Sequence, residues 1–249
     1  MTTQVETFRA LHHGRDADDP LVLPGPWDAA SARAFADAGF PALATPSAGV
    51  SASLGYEDGR TPAGEMFAAV ARIVRAVGVP VSADVEAGYG LPAKELVARL
   101  LESGAVGCNL EDSDSSTSAL EDPRRQADRL ADVRAEAGDA LFVNARVDTY
   151  LRGVTDPAET IARIRLYVAA GADCVYPIRV PVDHLPLLRA GTGVPINVVA
   201  EALDPPVAEL GRLGATRITF GPGLQRRAQA AVEDIARELR GGRPGPGGG

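Results

Sequence analysis

The chain has 249 residues and a formal net charge of −8, with 45% hydrophobic and 23% charged residues. This balance is typical of a folded globular protein and excludes disordered and collagen-like classes. The negative charge and an aromatic content of 5% argue against a nucleic-acid partner, which requires basic surfaces and stacking rings. No run reaches the roughly 18 apolar residues of a membrane span, so we also expect no membrane partner.

The N-terminal residues and the cysteines indicate where the protein works. The first twenty residues lack the basic and then apolar layout of a secretion signal. Cys108 and Cys174 lie in apolar segments, without the spacing of a metal site or a disulfide framework. We therefore expect two buried thiols in a cytoplasmic protein.

Short apolar runs alternate with longer segments of helical periodicity along most of the chain. The predicted strands are Leu21–Leu23, Ala42–Thr45, Pro80–Asp84, Val106–Leu110, Leu141–Ala145, Asp173–Tyr176, Pro195–Val198 and Arg217–Phe220. The predicted helices are Ala30–Ala38, Ala63–Val77, Ala93–Ser103, Asp122–Ala137, Pro157–Ala170, Val182–Ala190, Pro206–Leu213 and Leu224–Arg240. Glycines that follow several of these helices supply the left-handed residue that ends a helix.

This alternation indicates parallel strands joined by helical crossovers. Eight units close a (β/α)8 TIM-type barrel, for which this length is ordinary, whereas six would leave an open doubly wound sheet. The two weakest strands, Leu21–Leu23 and Asp173–Tyr176, decide between these architectures. We predict one α/β barrel domain over residues 1–240, with residues 1–18 as a leading helix or arm. The Gly/Pro-rich residues 241–249 cannot form a core and are predicted to be disordered.

Carboxylates follow the third and fourth predicted strands, where a barrel of this type builds its active site. Asp84 and Glu86 have the same parity and therefore face one side of the strand end. They repel each other unless a cation lies between them, and carboxylate oxygens are ligands that Mg2+ prefers. Glu111, at the end of the neighbouring strand, is within reach of the same ion. The alternative is that these residues are solvated loop acids.

Other polar residues at strand ends indicate an anionic ligand. Arg146 has the planar guanidinium that suits a carboxylate, or it forms a structural salt bridge with Glu111 or Asp148. Asn197 is an amide among apolar residues and is predicted to contact a ligand. The segment from Ser47 to Gly49 follows the second strand, and we expect a loop there whose backbone N–H groups bind an anion.

In order along the chain, these motifs resemble those of the isocitrate lyase/phosphoenolpyruvate mutase superfamily. The resemblance runs from about Pro24 to Phe220 and is carried by PGPWDAASARAFADAGFPAL, LGYEDG, ADVEAGYG, NLED, NARVD and AGAD. It implies a barrel whose last helix is swapped between subunits of a homodimer or homotetramer. It also implies Mg2+, with Mn2+ as an alternative, bound by Asp84 and reached directly or through water by Glu86 and Glu111.

The resemblance also implies roles for residues around the metal. Asp58, in LGYEDG, would lie close to the metal, and Arg146 would hold a substrate carboxylate. For a 2-hydroxy acid, either Asp58 or a metal-bound water would serve as the base. Catalytic roles thus fall to Asp58, Glu111 and Arg146. The implied substrate-binding residues are Ser47, Ala48, Gly49, Arg146 and Asn197.

Departures from the family pattern narrow the expected chemistry. Family lyases that cleave isocitrate or methylisocitrate carry a gating loop with Lys, Cys, Gly and His after the Glu-Asp of the fourth strand, whereas this chain has Ser113–Ser118, read SDSSTS. An isocitrate lyase proper is therefore not expected, and the phosphonomutases, which use a Lys-bearing loop, lose support. Whether residues 113–118 form a gate or a surface turn stays open. Arg179, near the rim, faces either a second carboxylate or solvent.

We expect a Mg2+-dependent carbon–carbon lyase or decarboxylase acting through a metal-stabilised enolate. Its substrate would be a small 2-oxo or 2-hydroxy di-acid of the oxaloacetate or malate-derivative type. The alternatives are a phosphonate C–P mutase or hydrolase, and a non-catalytic 2-oxo acid binder. The sequence leaves the particular substrate and the exact oligomeric state open.

Overall fold

The computed structural model describes residues 2–114, 117–200 and 205–241. It contains eight strands, all paired in parallel. The strands are β1 Leu21–Val22, β2 Leu43–Ala44, β3 Val81–Asp84, β4 Gly107–Glu111, β5 Phe142–Val147, β6 Cys174–Pro177, β7 Asn197–Val199 and β8 Arg217–Thr219. All the predicted strands are thus confirmed, including the two on which the architecture depended.

The strands close into a ring, as the prediction of a (β/α)8 barrel requires. Five strands pair in the order β2–β3–β4–β5–β6, and three pair in the order β1–β8–β7. Backbone hydrogen bonds join the two groups at both seams: Val175 N–H donates to Pro195 O at 3.0 Å, and Ala44 N–H donates to Pro24 O at 3.2 Å. The alternative of an open doubly wound sheet is therefore wrong.

Ten α-helices are found within the described ranges, and most of them lie between successive strands. They are α1 Gln4–Leu11, α2 Ala29–Asp37, α3 Ser47–Leu54, α4 Ala63–Arg75, α5 Ala93–Ser103, α6 Pro123–Ala137, α7 Pro157–Ala169, α8 Leu185–Gly191, α9 Val207–Arg212 and α10 Gly223–Leu239. None of these described helices is long and apolar enough to cross a membrane.

Two segments differ from the sequence-based expectation. The predicted loop at Ser47 is instead the first turn of α3, which ends at Gly55 with a left-handed φ of 85°. Its sequence, SAGVSASL, has small residues on all sides and no amphipathic period, so periodicity could not reveal it. The predicted helix Val182–Ala190 is divided into a 3-10 turn, Val182–His184, followed by α8.

The alternation of side chains along the strands separates an apolar layer from a polar barrel interior. Ala83, Cys108 and Val143 belong to the apolar cluster between strands and helices. Toward the C-terminal ends of the strands, the neighbours on the other face are polar, and Asn144 Nδ2 donates to Asn109 Oδ1 across the interior at 2.8 Å. By the same period of two, the interior side of the strand ends carries the acidic and basic residues that the sequence predicted. Both cysteines are buried and unpaired, as expected.

The leading helix α1 closes the N-terminal end of the barrel. Phe8 is fully buried and packs with the inward-facing Leu21, Phe142 and Cys174. The His12 ring stacks on Phe142 with centroids 4.2 Å apart. Within the segment expected as a leading helix or arm, α1 thus forms part of the core. The expected disordered tail lies outside the described residues after Gly241.

The last helix, α10, packs little against the described barrel. None of its side chains is buried, although Gln225, near its start, lies against Gly49 of α3. Val232, Ile235 and Leu239 are 57%, 55% and 83% exposed. Their spacing of three and four residues places them on one face of the helix. The described part of the chain therefore leaves an apolar helix face uncovered.

The buried His12 predicts a specific pH dependence of stability. Burial lowers the pKa of its imidazole to about 3, and the nearby Arg217 cation adds to this shift. In the unfolded chain the pKa of a histidine is about 6.5. The neutral His12 imidazole therefore contributes fully to the free energy of unfolding above about pH 6.5, and this contribution is lost as the pH falls toward 3. One proton gives a slope of up to about 1.4 kcal/mol per pH unit.

We predict that His12→Phe has a smaller dependence of unfolding free energy on pH between 4 and 6 than the wild type. Urea unfolding at several pH values measures this slope for both proteins, and the carboxylates that titrate in the same range are common to them. Equal slopes would contradict the assignment of a neutral, buried imidazole.

Candidate active site

Two adjoining cavities open at the C-terminal end of the barrel, and Asp58 and Arg146 line both. The larger cavity, of about 830 Å3, is also lined by Asp84 and Ala48. The smaller cavity, of about 310 Å3, is also lined by Glu111. Predicted site residues from the ends of β3, β4 and β5 are therefore brought to one place. Asp58 is exposed, in the segment between α3 and α4.

The carboxylate of Asp84 is buried and bonded to the start of α3. The Ser47 hydroxyl donates to Asp84 Oδ2 at 3.2 Å, and the Ser47 backbone N–H points at the same oxygen from 3.5 Å. Burial raises the pKa of Asp84, and the positive Arg146 counteracts part of that shift. Ser47, predicted as a substrate contact, thus binds a carboxylate of the protein, and both Ser47 and Ala48 line the larger cavity.

Glu86 lies in a turn with an unusual backbone. Glu86 and Tyr89 have left-handed φ values of 51° and 56°, a region that non-glycine residues adopt at a steric cost and that recurs at functional sites. Burial, followed by the Asp84 and Asp58 charges, raises the pKa of Glu86 to about 7. Its buried Oε1 has no hydrogen-bond partner among the described residues, so the carboxylate has a free coordination position.

Arg146 is surrounded by carboxylates. Its Nε and Nη2 donate to the two oxygens of Asp148 at 2.7 and 3.2 Å, and its Nη1 donates to Glu111 Oε1. Burial opposes the charge, but Glu111, Asp148 and Asp84 outweigh it and raise the pKa of the guanidinium. Both ion pairs that the sequence left as alternatives to substrate binding are therefore present.

A further set of buried side chains fixes Asp148 in place. Asp148 accepts a hydrogen bond from the Ser113 hydroxyl at 2.6 Å. Its backbone N–H donates to Asp112 Oδ1 at 2.8 Å, and the other Asp112 oxygen accepts from Tyr167 at 2.7 Å. The sequence analysis did not assign these roles to Asp112 and Ser113, although Asp112 follows Glu111 in the NLED motif. The first residue of segment 113–118 is thus tied to the site, whereas residues 115–116 lie outside the described chain.

The chemistry of the three predicted metal ligands fits a divalent cation, although they do not form a complete ligand shell. Burial raises the pKa of Glu111, and Asp84 and Glu86 add to that rise against the attraction of Arg146. Buried oxygen donors of this kind suit Mg2+. No group of three or more acidic, histidine or cysteine side chains in the described chain converges closely enough to hold an ion. Asp84 is engaged by Ser47 through one oxygen, and Glu111 is engaged by Arg146 through one oxygen.

Three further polar residues are candidates for the site, and two of them line the larger cavity. Asn197 is buried, and its Nδ2 donates to Thr219 Oγ1 at 3.1 Å; it does not line either cavity, so its contact with a ligand stays a prediction. Arg179 does line the larger cavity, and so does Arg226 from α10. Arg226 could not be identified from the sequence, because nothing in the pattern distinguishes it from the other charged residues of an exposed helix.

The structure combines a (β/α)8 barrel with acidic strand ends, a helix start after the second strand and an arginine on the fifth, as expected from the resemblance to the isocitrate lyase/phosphoenolpyruvate mutase superfamily. Residues 8–240 match the family described as Phosphoenolpyruvate phosphomutase, and the chain belongs to that family. The resemblance inferred from the sequence is therefore confirmed.

Individual relatives show the breadth of this family. An uncharacterized protein of Mycobacterium tuberculosis is 36% identical over 90% of this chain and 87% of its own length. An oxaloacetate decarboxylase of Ectopseudomonas mendocina is 31% identical over 72% of this chain and 65% of its own. A Burkholderia cenocepacia structure, named as a candidate phosphonomutase, is 39% identical with a TM-score of 0.88, covering 94% of this chain and 99% of its own. The structure of a phosphonopyruvate hydrolase, which was solved with oxalate and Mg2+, shares the fold. It is 22% identical, with a TM-score of 0.84 over 96% of this chain and 87% of its own.

The buried ion pair between Arg146 and Asp148 leads to a prediction about stability. Asp148→Asn keeps the shape of the side chain but removes the charge that faces the buried guanidinium. Removing one partner of a buried pair costs several kcal/mol, so we expect a loss of roughly 3 kcal/mol in the free energy of unfolding. Urea unfolding measures this loss.

Asp234→Asn provides the matched control. Asp234 pairs with Arg237 on the surface of α10, with both side chains more than half exposed, and exposed pairs contribute little to stability. An Asp148→Asn variant as stable as Asp234→Asn would show that Arg146 does not depend on Asp148.

Proposed function

We propose that the protein is a Mg2+-dependent carbon–carbon lyase or decarboxylase acting on a small 2-oxo or 2-hydroxy di-acid of the oxaloacetate or malate-derivative type. The observation that carries this proposal is the set of buried carboxylates at the strand ends, opposite Arg146, in a site whose loop lacks the Lys and Cys of the isocitrate-type enzymes. The 31% identity to an oxaloacetate decarboxylase supports the same class of substrate.

Asp84, Glu86 and Glu111 would hold the cation, with Mn2+ as an alternative to Mg2+. When bound, it supplies Lewis-acid stabilisation of negative charge on the substrate's 2-oxo oxygen, which is worth several kcal/mol. The raised pKa values of Asp84 and Glu86 show that burial disfavours their charged forms. A positive partner therefore stabilises the charged forms of these side chains more than it would stabilise solvated acids.

The residues around the acids would bind and orient the substrate. Arg146, held in place by Asp148, presents a rigid guanidinium that suits a carboxylate. The backbone N–H groups of Ala48 and Gly49, in the uncapped first turn of α3, favour negative charge at the same end of the cavity. The Asn197 contact requires its amide to give up the bond to Thr219.

Asp58 would be the base for a 2-hydroxy acid. It lines both cavities and is open to solvent, so it can take the hydroxyl proton as the O–H electron pair forms the new C=O bond and the neighbouring C–C bond breaks. The electron pair of the C–C bond leaves with the other fragment as an enolate, which takes a proton from water. Decarboxylation of a 2-oxo acid needs no such base, because CO2 leaves without a proton transfer. The requirement for Asp58 therefore distinguishes the two reactions.

The proposal predicts pyruvate release from oxaloacetate or a malate derivative, dependent on a divalent cation. We expect EDTA to abolish the activity and Asp84→Asn to reduce it by roughly 100-fold or more. A coupled assay of pyruvate measures both effects. Asp156→Asn is a suitable control, because Asp156 only caps the exposed start of α7.

Other outcomes select other functions. Phosphonate chemistry is the second candidate, favoured by the 39% identity to the candidate phosphonomutase. Turnover of phosphonopyruvate in phosphorus NMR, without turnover of any di-acid, would select it. Metal-dependent binding of 2-oxo acids without turnover of either class would select a non-catalytic binder and contradict the lyase.

We further propose that the chain forms a homodimer or homotetramer in which α10 is swapped between subunits, so that its later turns pack on the partner while its first turns stay at the cavity of their own barrel. The support is the exposed apolar face formed by Val232, Ile235 and Leu239 on a helix with no buried side chain. A contiguous uncovered apolar face is typical of a subunit contact.

This proposal predicts that light scattering gives the mass of a dimer or tetramer. The double variant Val232→Glu/Ile235→Glu should shift the mass toward the monomer, because it places two charges in the contact. Leu187→Glu, a substitution at a similarly exposed leucine of α8 (54%), is the control and should leave the mass unchanged. A monomeric wild type would refute the swap.

A further inference from the structure

The larger cavity is lined by two arginines that the proposed metal chemistry does not use. Arg179, just after β6, and Arg226, in the first turns of α10, both line it. Both side chains are exposed, and no hydrogen bond or ion pair joins either of them to another described residue. Arg146, in contrast, is engaged by two carboxylates. Arg179 and Arg226 are therefore available for an anion that enters the cavity.

The backbone of Arg179 gives a second reason to examine this position. Its φ is 58°, in the left-handed region where glycine is free of the clash that a Cβ atom causes. The chain turns here, with the Val180 N–H donating to Pro177 O at 3.2 Å. A long cationic side chain at a position that favours glycine costs stability, and such costs are typically retained where the side chain has a function.

Acidic and basic side chains both line the larger cavity. Asp84 and Asp58 are among its acids, and Asp58 also lines the adjoining smaller cavity, where Glu86 and Glu111 lie. The two arginines lie among the other lining residues, together with Gly223 and Gln225 of α10. The positive end of that helix dipole adds to the same charge. A volume of about 830 Å3 leaves room for a ligand longer than the 2-oxo or 2-hydroxy acid unit alone.

We propose that Arg179 and Arg226 form a subsite for the distal carboxylate of the substrate. The substrate is then a di-acid whose second carboxylate is separated from the 2-oxo or 2-hydroxy acid end by at least one carbon. This inference rests on the proposed function, because that function places the other end of the substrate at the acids and Arg146. The guanidinium groups suit a carboxylate because each can donate two parallel hydrogen bonds.

The test compares ligands that differ only in the distal group. Malate and lactate share the 2-hydroxy acid end, and only malate has the second carboxylate. Isothermal titration calorimetry in the presence of Mg2+ should show tighter binding of malate to the wild type. Arg179→Gly and Arg226→Gln should each weaken malate binding by roughly 10-fold or more, as expected for hydrogen bonds between charged groups, and leave lactate and oxalate binding unchanged.

A stability measurement separates this role from a structural one. Arg179→Gly relieves the left-handed strain, so its thermal unfolding midpoint should be equal to or above that of the wild type, although malate binding weakens. Arg72→Gln, at an exposed arginine of α4, is the control for the loss of one surface charge.

Two results would overturn the subsite: malate that binds the wild type no more tightly than lactate, or variants that bind malate like the wild type. Oxalate binding that does not depend on Mg2+ would instead contradict the proposed function. The malate and lactate comparison would still decide whether the two arginines bind a second carboxylate.

Discussion

The structure depends on a cluster of like charges held inside the C-terminal end of a barrel. Asp84, Glu86, Glu111 and Asp148 are all largely buried, and Arg146 is the cation that pairs with two of them in the described chain. Carboxylates that leave water without a partner lose several kcal/mol each, and they repel one another in a medium of low dielectric constant. The cluster can persist because Arg146 and Ser47 bind three of these acids, and because the pKa of Glu86 is raised to about 7.

The strands and helices of the barrel fix the positions of these charged groups. Parallel strands bring the ends of β3, β4 and β5 to one edge in fixed register, with Glu111 opposite Arg146. The missed helix α3 brings its positive end to Asp84, and Asp112 orients the backbone of Asp148. The opposite end of the barrel is sealed by α1, so ligands have access from the C-terminal side. The acids are thus gathered at one end of the barrel, and one buried oxygen of Glu86 has no hydrogen-bond partner in the described part of the chain.

Much of this could be predicted from the sequence, for identifiable reasons. Strand parity and the alternation of strands and helices are local signals, and they placed Asp84, Glu111 and Arg146 on one side of the right strand ends. Three features depend on contacts between distant residues and have no local signal: the bond from Ser47 to Asp84, the occupation of Arg146 by two acids, and the approach of Arg226 to the cavity. The loop prediction at Ser47 failed because α3 has no amphipathic period.

The central claim is that the buried acids form a divalent-cation site. The most direct test is X-ray diffraction from crystals soaked with Mn2+ and oxalate. Manganese gives an anomalous signal that locates the ion without reference to activity. The account predicts a peak bonded to the carboxylate of Asp84, with Glu86 and Glu111 beside it, oxalate on the ion and Arg146 close to the oxalate. No peak at Asp84, or oxalate bound elsewhere without an ion, would contradict the account.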